Sequence, residues 1–173
     1  MFNKARKNCP GSHEIWIAAA QLEEANNDHT LVNTIVKRAV EVLVAADVNI
    51  KREQWIKEAM DAEDNKYVTT CQAIVRNTIA LGVEDDDRKK TWVDDANSAI
   101  QSRHFETARA IFAHALSVFP TKKSLWLEAA FLERDHGTPS SLESLLKKAV
   151  ERCPKEETLW LMGAKEKWLA VRC

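Results

Sequence analysis

The sequence predicts an all-α fold, a right-handed helical-repeat solenoid of antiparallel helix pairs. Three observations predict it. Tryptophans recur at Trp16, Trp55, Trp92, Trp126 and Trp160, with separations of 39, 37, 34 and 34 residues. An alanine follows each of them one helical turn later, at Ala20, Ala59, Ala96, Ala130 and Ala164. Only 4 Gly and 4 Pro occur in 173 residues, too few for a chain of many β-turns. A period of this length with fixed internal offsets marks a repeat array in which each unit is one supersecondary element.

The first predicted helix, over 13–26, carries Trp16 and Ala20, and its partner over 29–45 carries Ile35, Val36, Ala39 and Val40. The second pair, 52–64 and 67–81, repeats the set with Trp55, Ala59, Ile74, Val75 and Ile79. The third, 87–102 and 104–118, does so with Trp92, Ala96, Ile111, Phe112 and Leu116. In the fourth, 122–136 and 139–152, Trp126 and Ala130 precede Leu145, Leu146 and Val150. Its punctuation is the clearest. Pro120 ends the preceding helix and Thr121 is a candidate cap. Gly137 is expected to supply a left-handed residue past the helix end, with Thr138 as N-cap and Pro139 as first helical residue. Cys153-Pro154 closes the pair, and a ninth helix, over 156–170, carries Trp160 and Ala164. Proline stands six residues before Trp at Pro10, Pro120 and Pro154; Asn49 and Asp86 replace it in the other two repeats, which have longer connections.

A helix hairpin of this size cannot bury its apolar faces alone, so it stacks on its neighbours. The Trp on the first helix of each pair fills space between helices, and small residues admit it: the alanine one turn on, and Ala39, Ala115 and Ala149 on the second helices, with Thr78 as the exception. The organisation read from this is repeat 1 over 11–48, repeat 2 over 49–84, repeat 3 over 85–119 and repeat 4 over 120–153. Residues 1–10 read as the end of a truncated second helix, because Ala5-Arg6-Lys7-Asn8-Cys9-Pro10 aligns with Ala149-Val150-Glu151-Arg152-Cys153-Pro154. Residues 154–173 read as the first helix of a truncated repeat 5, and the chain as a fragment of a longer array. Apolar faces at Phe2, Ala5, Leu161, Ala164 and Trp168 are expected to be open; Trp168 breaks the repeat register and is either local core or part of a stacking surface.

Net charge is −1, so no global cationic field draws nucleic-acid phosphates. No apolar run approaches the length of a membrane span, and the first residues lack the apolar stretch of a signal peptide. Cys9, Cys71, Cys153 and Cys173 show no metal-like spacing, which favours a reducing cytosolic or nuclear compartment. His13, His29, His104, His114 and His136 form no metal-binding pair, and neighbouring acids such as Glu23-Glu24 and Asp94-Asp95 point in different directions on a helix. No nucleophile elbow, phosphate loop or dinucleotide fingerprint occurs. The expectation is no catalytic residue, no cofactor and no metal. The run Glu84-Asp85-Asp86-Asp87 has two readings, acids favoured at a helix N-terminus or an acidic docking patch. Lys147, Lys148, Arg152 and Lys155 read as a solvated face, since RNA binding would interleave aromatics with the charge.

The repeat resembles the half-a-TPR (HAT) repeat, with a Trp and a following Glu on its first helix: Trp16…Glu23 and Trp126…Glu133 match best, Glu63 comes one residue late after Trp55, and Ala99 and Lys167 stand in the other two repeats. Over nearly the whole chain the wording is similar to the pre-mRNA-processing factor 6 family. It is carried by Ile15-Trp16-Ile17, Arg52-Glu53-Gln54-Trp55-Ile56, Asp87-Arg88-Lys89-Lys90-Thr91-Trp92, Ala108-Arg109-Ala110-Ile111 and Leu159-Trp160-Leu161-Met162-Gly163-Ala164-Lys165, among others. The chain departs from that family after Trp168-Leu169-Ala170, where it reads Val171-Arg172-Cys173. The resemblance implies a HAT/TPR-like solenoid in the nucleus. It implies a non-enzymatic scaffold in pre-mRNA splicing, bridging the U5 and U4/U6 particles of the tri-snRNP. Partners would be splicing-factor proteins of those particles, with RNA contact at most indirect or weak, no membrane and no small-molecule substrate. Two alternatives remain at this stage: another HAT scaffold, of 3′-end processing or ribosome biogenesis, and a TPR-type peptide-binding adaptor. The adaptor would need a repeated Lys/Arg/Asn cradle, and none appears at matched offsets.

Overall fold

A buried indole needs apolar walls for its rings and an acceptor for its N–H. Both needs organise this chain. The computed structural model describes residues 11–48 and 50–172, apart from the side chains of 166, 167 and 169–172. The segment 1–10, Asn49 and Cys173 lie outside the described residues, and with them the helix end assigned to 1–10. Among the described residues there are nine helices and no strand: α1 (His13–Ala25), α2 (His29–Ala45), α3 (Arg52–Asp64), α4 (Val68–Thr78), α5 (Arg88–Gln101), α6 (Phe105–Val118), α7 (Lys123–His136), α8 (Pro139–Arg152) and α9 (Glu157–Arg172). The fold is all-α and built of packed adjacent helix pairs.

The helices gather into two compact units, one running to Ile111 and one from Phe112, so the division falls inside α6. In the first unit α1 packs on α2 and α3 on α4, while α2 and α4 lie side by side and α1 also meets α4. In the second unit α8 packs on both α7 and α9.

Trp16, Trp55, Trp92 and Trp126 are buried, and Ala20, Ala59, Ala96 and Ala130 are each 0% exposed. Any larger residue at these alanines would meet a close-packed neighbour. The indole N–H groups of Trp92, Trp126 and Trp160 take carbonyls that helix ends and turns leave unsatisfied. Trp126 Nε1 donates to Pro120 O at 2.8 Å and Trp160 Nε1 to Pro154 O at 2.9 Å. This gives the recurring proline a second meaning: it stops a helix and leaves a free carbonyl within reach of the next indole. In repeat 3, with Asp86 in the proline's place, Trp92 Nε1 donates to Ile79 O at 2.9 Å, at the end of α4. There α4 stops at Thr78, three residues before the expected 81; Leu81 N closes a tight turn on Thr78 O and Gly82 follows at φ 68°.

The second-helix positions are less uniform than the sequence pattern. Ile74 and Ile111 are fully buried, but Ile35 and Leu145 are half-buried, and their neighbours Val36 and Leu146 point inward. Trp160 departs further: it is 54% exposed, and Ala164 is exposed as well. Helix α9 packs through α8, and its outer side carries Trp160, Leu161 and Trp168 in the open.

The turns inside the hairpins correct one sequence expectation. Asn27, Lys66 and Arg103 adopt left-handed backbone, with φ 63°, 66° and 65°. Each stands eleven residues after its Trp. Paired bonds hold them: Asp28 N donates to Glu23 O (3.0 Å) and Asn27 N to Glu24 O (2.9 Å), and the same pattern recurs at Tyr67/Lys66 and His104/Arg103. This is the Schellman ending, in which two orphan carbonyls are satisfied at the cost of one left-handed residue. Gly137 occupies the same offset but is extended, with φ −104° and ψ −159°. The reason is Thr138-Pro139: proline restricts the residue before it to extended backbone, and Thr138 caps α8 in a reciprocal box with Ser141. Glycine is needed at 137 for space, because a Cβ would lie 2.6 Å from Glu133 O and 2.9 Å from Glu133 Cα. Nor does Thr121 cap α7; its N-cap is Lys122, with no side-chain cap bond.

Burial sets the expected cost of losing each indole. Trp92, 1% exposed, is expected to cost about 3–5 kcal/mol on change to alanine, and Trp160→Ala less than about half of that. Urea unfolding of the two variants measures both, and equal losses would contradict the packing described.

Candidate functional site

The repeat-to-repeat joints are built from side chains that reach one period forward. Glu24, on α1, crosses to the first turn of α4. Its carboxylate accepts from Thr69 N at 2.8 Å, Thr70 N at 2.7 Å and Thr70 Oγ1 at 2.7 Å. Glu63, on α3, does the same for α6, accepting from Glu106 N (2.9 Å), Thr107 N (2.9 Å) and Thr107 Oγ1 (2.8 Å). The first N–H groups of a helix have no partner within it, and the positive end of the helix dipole favours an anion there. One carboxylate therefore satisfies two orphan donors and a hydroxyl at once, and it ties one repeat to the next.

These two acids stand eight residues after Trp16 and Trp55. Glu63 is thus in register with Glu24, and the Glu23 of the sequence signature is not the linking residue. Glu133, seven residues after Trp126, is buried and serves its own repeat, accepting from Ser141 Oγ. Thr70, Thr107 and Ser141 all stand fifteen residues after a Trp. That hydroxyl column was the signal from which the caps could have been found.

A second set of links runs between first helices. His13 Nε2 lies 3.0 Å from Glu58 Oε1, with its ring edge-on to Trp55 (centroids 5.7 Å apart, 70°). Arg52 Nη1 donates to Asp95 Oδ2 at 2.5 Å. In both pairs a basic residue three before one Trp meets an acid three after the next. Burial pushes the Asp95 carboxyl up, and the Arg52 guanidinium opposes the shift. Other polar contacts join neighbouring repeats: His29 Nδ1 to Thr69 Oγ1 at 3.0 Å, His104 Nε2 to Asp64 Oδ1 at 3.3 Å, and Asn77 Nδ2 to Asn33 Oδ1 at 3.1 Å.

Of the histidines and acids weighed for chemistry in the first unit, His13, His29, His104, Glu24 and Asp95 are thus occupied in joints. Among the described residues no group of three or more His, Cys, Asp and Glu is placed to hold a metal ion, and no helix is long and apolar enough to cross a membrane. The Cys71 thiol, 3.3 Å from Thr107 Oγ1, is buried, and burial pushes it up to about 12. Of the acid run, Asp87 is the N-cap residue of α5 with no side-chain cap bond, and Asp85 pairs with Arg88 at 2.7 Å. Lys147, Lys148, Arg152 and Lys155 are exposed.

Two adjoining clefts open where the connections α2–α3 and α4–α5 meet in the first unit. The first, about 260 Å³, is mostly apolar and is backed by Leu43 and Trp55, with Val44, Val48, Ile50 and Leu81 around it. The second, about 440 Å³, shares Ile50, Leu81 and Gly82 with it and adds Lys51, Glu53, Glu84 and Asp87. Sequence periodicity did not reveal these clefts, because irregular connections form them.

Repeated hairpins joined by forward-reaching side chains define a helical-repeat protein. Its sequence is 54% identical over 108 residues to human pre-mRNA-processing factor 6, which takes in 62% of this chain and 12% of that protein. It is 44% identical over 130 residues to pre-mRNA-splicing factor prp1 of Schizosaccharomyces pombe, covering 75% of this chain and 14% of that one. It is 54% identical over 108 residues to the protein STABILIZED1 of Arabidopsis thaliana, covering 62% and 10%. The chain is homologous to a segment of pre-mRNA-processing factor 6, and the match spans little more than a tenth of these relatives' length. No protein-family model matches the chain.

Two consequences of the joints are measurable. Glu24→Ala leaves two N–H groups and a hydroxyl without their acceptor and is expected to cost about 2–3 kcal/mol, against roughly 0.5 kcal/mol or less for Glu23→Ala. Denaturant unfolding of the pair decides which register links the repeats. Cys71 is expected to react with a maleimide near neutral pH only as the chain unfolds. Its folded value lies above the ordinary 9.0, so it is neutral in both states below that pH. As pH rises beyond it the unfolded thiol ionises first, and stability falls. Unfolding of Cys71→Ala across that range should show a shallower loss than the parent.

Proposed function

We propose that this chain is a non-enzymatic scaffold segment in pre-mRNA splicing, acting in the nucleus by holding splicing-factor proteins on the surface of its stacked helices. The identity to pre-mRNA-processing factor 6 carries the reading. The repeat architecture supports it, since such arrays present extended surfaces to partners. The finer reading is that the partners belong to the U5 and U4/U6 particles and that the scaffold bridges them in tri-snRNP and spliceosome assembly. A net charge of −1 gives little drive toward RNA, so direct RNA affinity is weak and salt-sensitive. The repeat signature proposed for this stacking is Trp16, Ala20, Ile35, Trp55, Ala59, Ile74, Trp92, Ala96, Ile111, Trp126, Ala130, Leu145, Trp160 and Ala164.

The test is affinity capture from nuclear extract on the immobilised chain, with and without nuclease. Splicing proteins of the U5 and U4/U6 particles are expected in both eluates, without turnover of any nucleotide or RNA. Their absence, or their loss on nuclease treatment together with tight binding to naked RNA at physiological salt, would overturn the scaffold reading.

A further inference from the structure

We propose that the paired cleft of the first unit is a docking site for a basic protein segment that carries an apolar anchor. The inference rests on the protein-scaffold reading and assigns that scaffold a surface and a partner chemistry. The cavity of about 260 Å³ has a floor of Leu43 and Trp55, both buried, and a mouth marked by Val44, which is 65% exposed. An apolar side chain inserted there removes Val44, Val48 and Ile50 from water together.

Charge decides the class of occupant. The second cleft, of about 440 Å³, carries Glu53, Glu84 and Asp87, and Asp47 stands at the edge of the first. Two basic residues share this lining, Lys51 and Arg52, and Arg52 is already spent: it donates to Asp95 at 2.5 Å and to Glu53 at 3.0 Å. Arg88, just beyond, is held by Asp85. Glu53 is thus answered from within, while Asp47, Glu84 and Asp87 stand exposed with Lys51 as the remaining base, so the rim carries more acid than base. Nucleic-acid phosphates and anionic lipid headgroups are repelled by such a rim. An Arg or Lys placed beside an apolar anchor meets it with complementary charge. The acid run before α5 thereby acquires a role beyond its place at a helix start, since Glu84 and Asp87 flank the opening.

Fluorescence anisotropy on the full chain tests this, with short labelled synthetic peptides as probes. One carries a Leu-Leu pair between arginines, one the same pair between glutamates, and one arginines around glycines. The first is expected to bind saturably and to weaken as salt rises, the other two to bind poorly. Val44→Lys and Glu84→Lys alter exposed positions, and circular dichroism verifies that each still folds. Each is expected to weaken the first peptide about tenfold or more. No saturable binding, equal binding of all three peptides, or binding unmoved by both variants would overturn the proposal. Capture from nuclear extract separates the two readings. If the parent and Val44→Lys recover the same splicing proteins in equal amount, the docking site falls and the scaffold stands. If neither recovers any while the arginine–leucine peptide still binds the parent, the scaffold reading falls and the cleft's peptide chemistry stands.

Discussion

Satisfying an indole inside a two-helix repeat is the constraint on which the rest depends. The ring is too large to be covered by its own hairpin, so it demands a neighbour. That demand fixes the fully buried alanines one turn along, because only a small side chain leaves room beside it. At Trp92, Trp126 and Trp160 the N–H of the ring also ties down the turn before it, drawing in Ile79 O, Pro120 O or Pro154 O according to what each connection offers. One residue type thus sets helix spacing, helix termination and the course of the loops.

Polar groups then decide how one repeat meets the next. Apolar stacking alone would tolerate sliding. The carboxylates of Glu24 and Glu63 do not, since each grips two backbone N–H groups and a hydroxyl at a single point of the following repeat. The lateral pairs His13–Glu58 and Arg52–Asp95 fix the other side of the joint. Trp92 is followed at the corresponding offset by Ile100, which has no carboxylate to give. The forward-reaching cap is therefore a property of particular repeats and not of the period as such.

Most helices could be read in the sequence because the local signals agree with one another. Trp, Ala and the apolar pairs mark the buried stripe, and Pro139 after Thr138 marks a helix start that the structure reproduces. The failures have physical causes. Gly137 was expected to be left-handed on propensity alone, whereas bonding forces that conformation on Asn27, Lys66 and Arg103, where no glycine stands. The linking acids stand outside the seven-residue Trp-to-Glu spacing, and their partners lie a full period away and leave no trace in local periodicity. Trp160 keeps the register of the others yet is half in solvent, for register specifies a face and not what covers it. The clefts depend on the paths of irregular connections, which carry no repeat at all.

The caps at α4 and α6 alter the usual behaviour of a helix beginning. First-turn amides ordinarily exchange their hydrogens with water freely, because nothing within the helix holds them. Here the amides of Thr70 and Thr107 are sealed by acids belonging to the preceding repeat. Neither exchanges until the carboxylate of that repeat lets go. Protection of a helix beginning is thereby lent by a residue remote from it in sequence, and it passes from each repeat to the next in the direction of the chain.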